Sequence, residues 1–151
     1  MRLANLTHPE LIFPHLAGSD RPTVLRAFAD RLAEISPVTD AEDLYRRLCE
    51  REDLSSTGIG SGVAIPHCKM NGLSEVVVAI GLCEHPVDFD ADDGEPVDLL
   101  FLLVSPEDAP AEHLRSLSAI SKWVKANRHV EKIRQLDDAE SIYELLERET
   151  D

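Results

Sequence analysis

Aromatic residues are scarce in this chain, and it contains no long apolar run. Aromatic side chains make up 5% of the 151 residues, whereas hydrophobic residues make up 43%, so the sequence predicts a folded domain with an aliphatic core. No apolar run approaches the roughly 18 residues of a membrane-spanning helix, and the N-terminus lacks a signal-peptide pattern. We therefore expect one cytoplasmic domain over residues 1–151, without membrane insertion.

Positive charge is also in short supply. Lys and Arg together number 15, against 29 Asp and Glu, which gives a formal net charge of −14. Such a surface repels nucleic acid and anionic membranes, whereas it attracts a basic protein partner and speeds the encounter with it. A nucleic-acid-binding role is therefore disfavoured.

The cysteines form no pair typical of a disulfide or a metal site. All three are widely spaced and none belongs to a CxxC motif, which favours reduced thiols in a cytosolic protein. The side chains with the chemistry to bind zinc are His67, Cys68, Cys83, His85 and His113. Adjacent residues of an extended segment point apart, so His67 and Cys68 would not share one ion. We expect no metal and no cofactor.

The segment from Arg51 to His67 carries the strongest functional signal. It contains three hydroxyl residues, Ser55, Ser56 and Thr57. Glycines then recur at every second position, at Gly58, Gly60 and Gly62. Glycine lets the backbone adopt positive φ angles and approach a ligand closely, and inward-pointing amides suit an anion. The segment lacks the lysine of a P-loop and follows a helical stretch, so it fits neither the Walker A nor the dinucleotide-binding motif.

His67 closes this segment directly after Pro66, whose fixed φ limits the directions in which the imidazole can project. A neutral imidazole can attack phosphorus with one nitrogen while a hydrogen bond holds the other. His67 is therefore the candidate nucleophile, and Arg51 could supply the cation that phosphoryl transfer needs. Taken singly, glycines indicate turns and a lone histidine is typical of a structural residue. A loop that only binds a partner or an anion therefore stays an alternative.

Helical patterns flank this segment. One helix is predicted to begin at Asp20 and to end at Ser36–Pro37. A second, opened by a capping box of Thr39 and Glu42, delivers Arg51 near its C-terminal end. Later helices are expected after Asp108, over 129–136 and over 138–148, and the first of these should face inward with Leu114, Leu117, Ile120 and Val124.

Two continuous apolar runs, residues 75–82 and 97–104, predict buried central strands. Between them, residues 87–89 alternate like a short edge strand, and residues 92–94 favour a tight turn. Strands interleaved with helices predict an α/β fold with a mixed sheet.

The same segment resembles a known phosphorylation-site signature. Residues 51–52, 56–60 and 62–67 are similar to the signature of the EIIA components in the fructose, mannitol and nitrogen-regulatory branch of the bacterial phosphotransferase system. The similarity extends to that family's central strand and following helix, which are matched by residues 96–103, Pro106, His113–Leu114 and Leu117. The resemblance therefore covers most of the chain. It implies the EIIA type-2 sandwich, a mixed β-sheet flanked by helices on both faces.

The resemblance also implies a role for particular residues. His67 matches the phosphorylated histidine, which receives a phosphoryl group from the phosphohistidine of a small HPr-like carrier and passes it on. Arg51 matches the arginine near that site. His113 matches a second histidine beside the first, where it can hydrogen-bond or help to stabilise the phosphorylated state.

The surrounding loop is matched by Thr57, Gly58 and Gly60, which are expected to hold the phosphoryl oxygens through the Thr57 hydroxyl and the loop amides. Cys68 departs from the family pattern, since a small or basic residue is more usual there, and it suggests an added redox sensitivity.

Three functions are compatible with these observations. The first is a phosphocarrier that regulates a downstream partner according to its phosphorylation state. The second is a sugar-specific EIIA component that delivers phosphate to the EIIB domain of a membrane permease, and the third is a non-catalytic binding module. From the length of the chain, which has no room for a fused transporter or EIIB-like segment, we expect the nitrogen-regulatory type.

Overall fold

A computed structural model describes residues 1–36, 38, 40–126 and 128–149. Within these residues, a six-stranded sheet is the centre of the molecule. Its strands are β1 (Ile12–Leu16), β2 (Gly58–Gly60), β3 (Val63–Ala64), β4 (His67–Met70), β5 (Val77–Val87) and β6 (Val97–Pro106). The helices are α1 (Arg21–Ile35), α2 (Ala41–Leu54), α3 (Pro110–Lys125), α4 (His129–Arg134) and α5 (Ala139–Arg148), and two 3₁₀ turns, Leu3–Leu6 and Pro9–Leu11, precede β1.

The sheet is mixed, as the sequence predicts. Its order is β1-β5-β6-β3-β2, and β4 also pairs with β6. The long strands β5 and β6 are antiparallel, whereas β1 runs parallel to β5, and β3 and β4 run parallel to β6. β2 and β3 form a short antiparallel pair.

Helices cover both faces of the sheet, which confirms the predicted architecture. One core cluster joins the sheet to α1 and α2 through Phe13, Phe28, Leu44 and Leu100, and the other joins it to α3, α4 and α5 through Phe101, Ile120, Ile133 and Leu145. β6 is buried along almost its whole length, which explains its unbroken apolar sequence. None of the described helices is long and apolar enough to cross a membrane.

The first two helices begin at aspartates. Asp20 forms a capping box with Thr23, so the predicted start of α1 is confirmed. The side chain of Asp40 accepts a hydrogen bond from the backbone N–H of Asp43 and opens α2. Thr39, the predicted capping residue, lies outside the described residues, as does Pro37 at the predicted end of α1. The prediction that the second helix carries Arg51 near its C-terminal end is confirmed for α2.

The predicted edge strand at 87–89 is wrong. Val87 is the last residue of β5 and pairs with Val97, and Phe89 turns into the core. A register irregularity between Leu82 and Val87 interrupts the pairing of β5 with β6, and this break is what makes one long strand look like two in the sequence. The predicted turn at 92–94 is confirmed, since Gly94 has a φ of 74° and its N–H donates to the carbonyl of Ala91.

The predicted inward face of α3 needs one correction. Leu114 is 66% exposed, whereas His113, Ser116 and Ile120 are buried. These three positions follow the three- and four-residue spacing of one helical face, so His113 takes the inward position that the apolar pattern assigns to its neighbour.

Candidate functional site

The site lies where β4 begins, beside β3 and β6. β3 and β4 pair with the same edge of β6, first at Leu99 and Leu100 and then from Leu103 onward, so the chain between them leaves and rejoins one strand. The interruption falls at Ile65 and Pro66, and proline has no N–H to give to a ladder. His67 is the first residue of β4, directly after this interruption.

The hydrogen bonds of His67 define which of its nitrogens is reactive. Nδ1 lies 2.7 Å from the carbonyl oxygen of Ile65. A carbonyl can only accept, so Nδ1 carries the proton and Nε2 carries the lone pair. Burial lowers the pKa of His67, and the positive charge of Arg51 lowers it further, while the bond to Ile65 acts in the opposite direction. The ring is therefore neutral at pH 7, and its electron pair lies on Nε2.

Arg51 reaches His67 from the last turn of α2. Its Nε donates to Nε2 of His67 at 3.2 Å, and its Nη1 donates to the carbonyl of Ser55 at 2.9 Å. The second bond ties the guanidinium to the residue that ends the helix. A cation is thus held beside the lone pair of the imidazole.

His113 stands beside His67, with ring centroids 5.5 Å apart. Its Nδ1 lies 2.7 Å from the hydroxyl of Ser105, a fully buried residue of β6. Burial lowers the pKa of His113 to about 4, and the nearby charges of His67 and Lys69 contribute in the same direction. His113 is therefore a neutral hydrogen-bonding group at pH 7.

An open cavity of about 550 Å³ lies over the two histidines. Its lining consists of Arg47, Glu50, Arg51, Leu54, His67, Cys68, Lys69 and His113. Three cations and one carboxylate face this space in a chain whose net charge is −14. The cavity is a local positive site on an acidic protein, which suits a phosphoryl group.

The structure brings together Arg51, His67 and His113, and it places the other predicted site residues elsewhere. Among the described residues, the cavity lining does not include Thr57, Gly58 or Gly60. The hydroxyl and N–H of Thr57 both donate to the buried carboxylate of Glu52. Contact of this loop with a phosphoryl group therefore stays a prediction.

The glycines have a local role in the β2–β3 hairpin. Ser61 and Gly62, between the strands, have φ angles of 57° and 81°, as a type I′ turn requires. Gly60 also has a positive φ, of 95°, next to the carboxylate of Asp93. The alternating glycines thus shape a tight hairpin.

Arg47, Lys69 and Ser105 also surround the site, although the sequence motif alone does not predict them there. Arg47 lies one helical turn before Arg51, and its Nη1 donates to the carbonyl of Lys69 at 2.9 Å and to the carboxylate of Glu107 at 2.7 Å. Lys69 lies two residues after His67, on the same side of β4. The four-residue spacing of Arg47 from Arg51 and the two-residue spacing of Lys69 from His67 predict these positions once Arg51 and His67 are identified. No sequence pattern near Ser105 indicates its contact with His113.

The thiol of Cys68 is buried, and burial raises its pKa to about 12. A thiol in this state is a poor nucleophile, so the structure does not support the redox sensitivity suggested by the sequence. All three cysteines are free. In the part of the chain that the structure describes, no group of three or more His, Cys, Asp and Glu side chains is arranged to hold a metal ion.

Comparison with known proteins assigns this fold to a family of phosphotransferase-system components. Residues 5–149 match the family described as "Phosphoenolpyruvate-dependent sugar phosphotransferase system, EIIA 2". The chain belongs to this family, so the predicted resemblance is confirmed.

Individual relatives and a solved structure show similarity to nitrogen regulatory proteins within this family. The chain is 37% identical to a nitrogen regulatory protein of Pseudomonas aeruginosa, over 97% of this chain and 95% of the relative. The nitrogen regulatory protein of Bradyrhizobium diazoefficiens is 36% identical over the same shares. The crystal structure of the nitrogen regulatory protein IIA-Ntr from Neisseria meningitidis superposes with a TM-score of 0.84 at 30% identity, covering 95% of this chain and 98% of that one.

Proposed function

We propose that this protein is a regulatory phosphocarrier of the phosphotransferase system, which accepts a phosphoryl group on Nε2 of His67 from the phosphohistidine of an HPr-like carrier protein. The observation that carries this proposal is the tautomer of His67. Its proton is held on Nδ1 by the carbonyl of Ile65, its Nε2 accepts from Arg51, and both residues line a cationic cavity. A cytoplasmic location goes with this role, since the free cysteines suit a reducing compartment.

The transfer is an in-line displacement. The lone pair of Nε2 forms a bond to phosphorus, while the bond between phosphorus and the carrier's imidazole nitrogen breaks and leaves its electron pair on the carrier. The His67 ring then bears a positive charge, since Nδ1 keeps its proton. The carbonyl of Ile65, 2.7 Å from Nδ1, stabilises that charge.

Arg51 has to exchange partners during this step. Its Nε–H occupies the lone pair of Nε2 before transfer, and phosphorus can approach only when this bond opens. The guanidinium then stands beside the incoming phosphoryl oxygens, to which its fork of donors is matched. The bond of Nη1 to Ser55 keeps the side chain nearby.

His113 supplies a neutral hydrogen-bonding group on the other side of His67. Because its Nδ1 is held by Ser105, its ring orientation is fixed by β6. A neutral imidazole adds no net charge to the cavity, so it can bond a phosphoryl oxygen without binding the group too tightly for onward transfer.

Exposed apolar side chains beside the site fit a protein partner. Leu54 lines the cavity and is 81% exposed, and Leu114, next to His113, is 66% exposed. Apolar residues exposed close to a charged cavity are typical of a docking surface. The acidic surface of the chain would speed encounter with a basic carrier.

The regulatory role is supported by the similarity to nitrogen regulatory proteins, at 36–37% identity. A fructose-specific EIIA component of Haloferax volcanii, 28% identical over 95% of this chain, belongs to the sugar branch. The solved complex of mannitol IIA with phosphorylated IIB from Escherichia coli shares the fold at 16% identity, with a TM-score of 0.71. Delivery to an EIIB domain is therefore the competing outcome that an experiment must address.

Acceptance on His67 can be tested with phosphorylated HPr-like carrier and the purified protein. We expect one acid-labile, base-stable phosphoryl group on His67 and none in His67→Ala. The matched control is His85→Ala, because His85 is an exposed histidine of β5, and it should accept normally. Phosphate on another residue, or a His67→Ala variant that still accepts, would contradict the proposal, and the absence of any transfer would favour the binding module.

The downstream role needs a separate measurement. The phosphorylated protein is mixed with purified EIIB domains of the fructose and mannitol type, and loss of phosphate from His67 is followed. We expect retention of the phosphate, and a regulatory partner that binds only one phosphorylation state. Rapid delivery to an EIIB domain would instead assign the protein to sugar transport.

A further inference from the structure

A buried carboxylate lies behind the histidine site. Glu52 is 5% exposed. Its carboxylate accepts hydrogen bonds from the N–H of Thr57 at 3.2 Å and from the Thr57 hydroxyl, and Nη1 of Arg21 lies 3.4 Å away. A charge is buried at such a position only when it is paired and hydrogen-bonded. Glu52 therefore holds Thr57 through both of that residue's donors.

Thr57 is connected to the reactive ring through the backbone. Its carbonyl accepts from the N–H of Ile65 at 3.0 Å. The carbonyl of Ile65 in turn accepts from Nδ1 of His67 at 2.7 Å. Three successive contacts therefore lead from the carboxylate of Glu52 to the nitrogen whose proton sets the tautomer of His67.

We infer that Glu52 is a positioning residue for His67: through Thr57 and Ile65, it fixes the carbonyl that keeps the proton on Nδ1 and the lone pair on Nε2. This inference rests on the proposed function, since the tautomer matters for transfer only when His67 is the acceptor. Among the described residues, Glu52 does not line the cavity, and its carboxylate is bonded to Thr57 and Arg21 rather than to His67, so it acts on His67 indirectly.

The surroundings of Glu52 make this connection stiff. Arg21, at the start of α1, also donates to the carbonyl of Phe89 at 3.2 Å, and the hydroxyl of Ser56 donates to the same carbonyl at 2.5 Å. Residues 56 and 57 are thus fastened on one side to Glu52 and on the other to the loop after β5. Arg51, the neighbour of Glu52 in α2, contacts His67 directly, so one helix end controls both nitrogens of the ring.

The test is Glu52→Gln, which keeps the shape of the side chain but cannot accept all of these bonds. Imidazole nitrogen shifts of His67 in ¹⁵N NMR distinguish the two tautomers. We expect the wild type to show the Nδ1–H tautomer and Glu52→Gln to show a mixture, with acceptance from the carrier slowed by about 10- to 100-fold. A merely structural role would leave the tautomer of the folded variant unchanged.

The matched control is Asp53→Asn. It removes the same charge one residue further along α2, from an exposed side chain. Tautomer and rate should equal those of the wild type. An equal effect in both variants would mean that Glu52 acts through its charge alone, and this would overturn the inference.

A second pair of variants covers the case in which Glu52→Gln fails to fold. Thr57→Val removes the hydroxyl bond to Glu52 without changing the volume, and Thr57→Ser retains the hydroxyl. We expect Thr57→Val to shift the tautomer in the same direction as Glu52→Gln, and Thr57→Ser to restore it. A wild-type tautomer in a folded Thr57→Val variant would contradict the inference.

The two proposals fail in different ways. If wild-type His67 accepts no phosphoryl group but its tautomer responds to Glu52→Gln, the proposed function is wrong while the positioning contact is real. If His67 accepts phosphate and neither Glu52→Gln nor Thr57→Val changes tautomer or rate, only the role of Glu52 is wrong.

Discussion

Arg51 donates its Nε–H to Nε2 of His67, the nitrogen that would attack phosphorus. The resting site is therefore closed by its own cation, and transfer requires this bond to open. The same contact raises the cost of protonating the ring, because a second positive charge would then stand beside the first.

Arg51→Ala should remove both effects. The pKa of His67 should rise relative to the wild type, because a repelling charge is lost, although burial still holds it below the ordinary value of 6.5. Acceptance from the carrier should slow by about 100-fold or more, since the charge of the phosphoryl group loses its nearest stabilising cation. An NMR titration of His67 and single-turnover transfer kinetics measure the two quantities. Arg51→Lys is the matched control, which should retain the low pKa and recover only part of the rate.

His113→Gln should change how stability depends on pH. The pKa of His113 is about 4 in the folded protein against 6.5 when unfolded. Between these values the unfolded chain binds a proton that the folded protein does not, so the free energy of unfolding falls as pH falls from about 6.5 to about 4. His113→Gln should lose this part of the slope, measured by urea unfolding at several pH values. Identical slopes in the two proteins would mean that His113 titrates normally.

Cys68 should resist alkylation in the native protein. Its pKa of about 12 lies three units above the ordinary 9.0, so the reactive thiolate is on the order of 1,000-fold scarcer than in the unfolded chain. Mass spectrometry of iodoacetamide adducts should show slow modification of Cys68 under native conditions and fast modification in urea. Fast native modification would restore the redox role that the sequence suggests.

Leu54→Ala should weaken docking of the carrier. Leu54 is exposed at the rim of the cavity, so its loss should raise KM for the phosphorylated carrier by about 3- to 10-fold and change the free energy of unfolding by less than about 0.5 kcal/mol. Ile35→Ala, which alters an apolar side chain 42% exposed in a separate cavity, serves as the control and should leave KM unchanged. Equal KM values for all three proteins would remove Leu54 from the docking surface.

Much of the fold was readable from the sequence because its signals are local. Unbroken apolar runs indicated β5 and β6, and helical spacing with aspartate at the start indicated α1. The error at residues 87–89 arose because a break in pairing resembles a strand boundary.

The site was predicted less completely, for a physical reason. The proline before His67 and the arginine at the end of a helix are sequence features, and the structure places His67 and Arg51 at one cavity. The orientation of Thr57 toward Glu52 depends instead on how the chain turns after α2, and the bond of His113 to Ser105 depends on the packing of a helix on a strand. Neither contact can be predicted from a short stretch of sequence.

The division of one sheet edge between β3 and β4 limits what phosphorylation can alter. The backbone is paired with β6 before the interruption at Ile65 and Pro66 and again from His67 onward. The imidazole of His67 can therefore rotate about its side-chain bonds, but its backbone cannot shift along the sheet. If the proposed function holds, a regulatory partner that distinguishes the phosphorylated form must therefore contact the added oxygens and the few side chains that reorient around them, because the backbone beneath them stays in place.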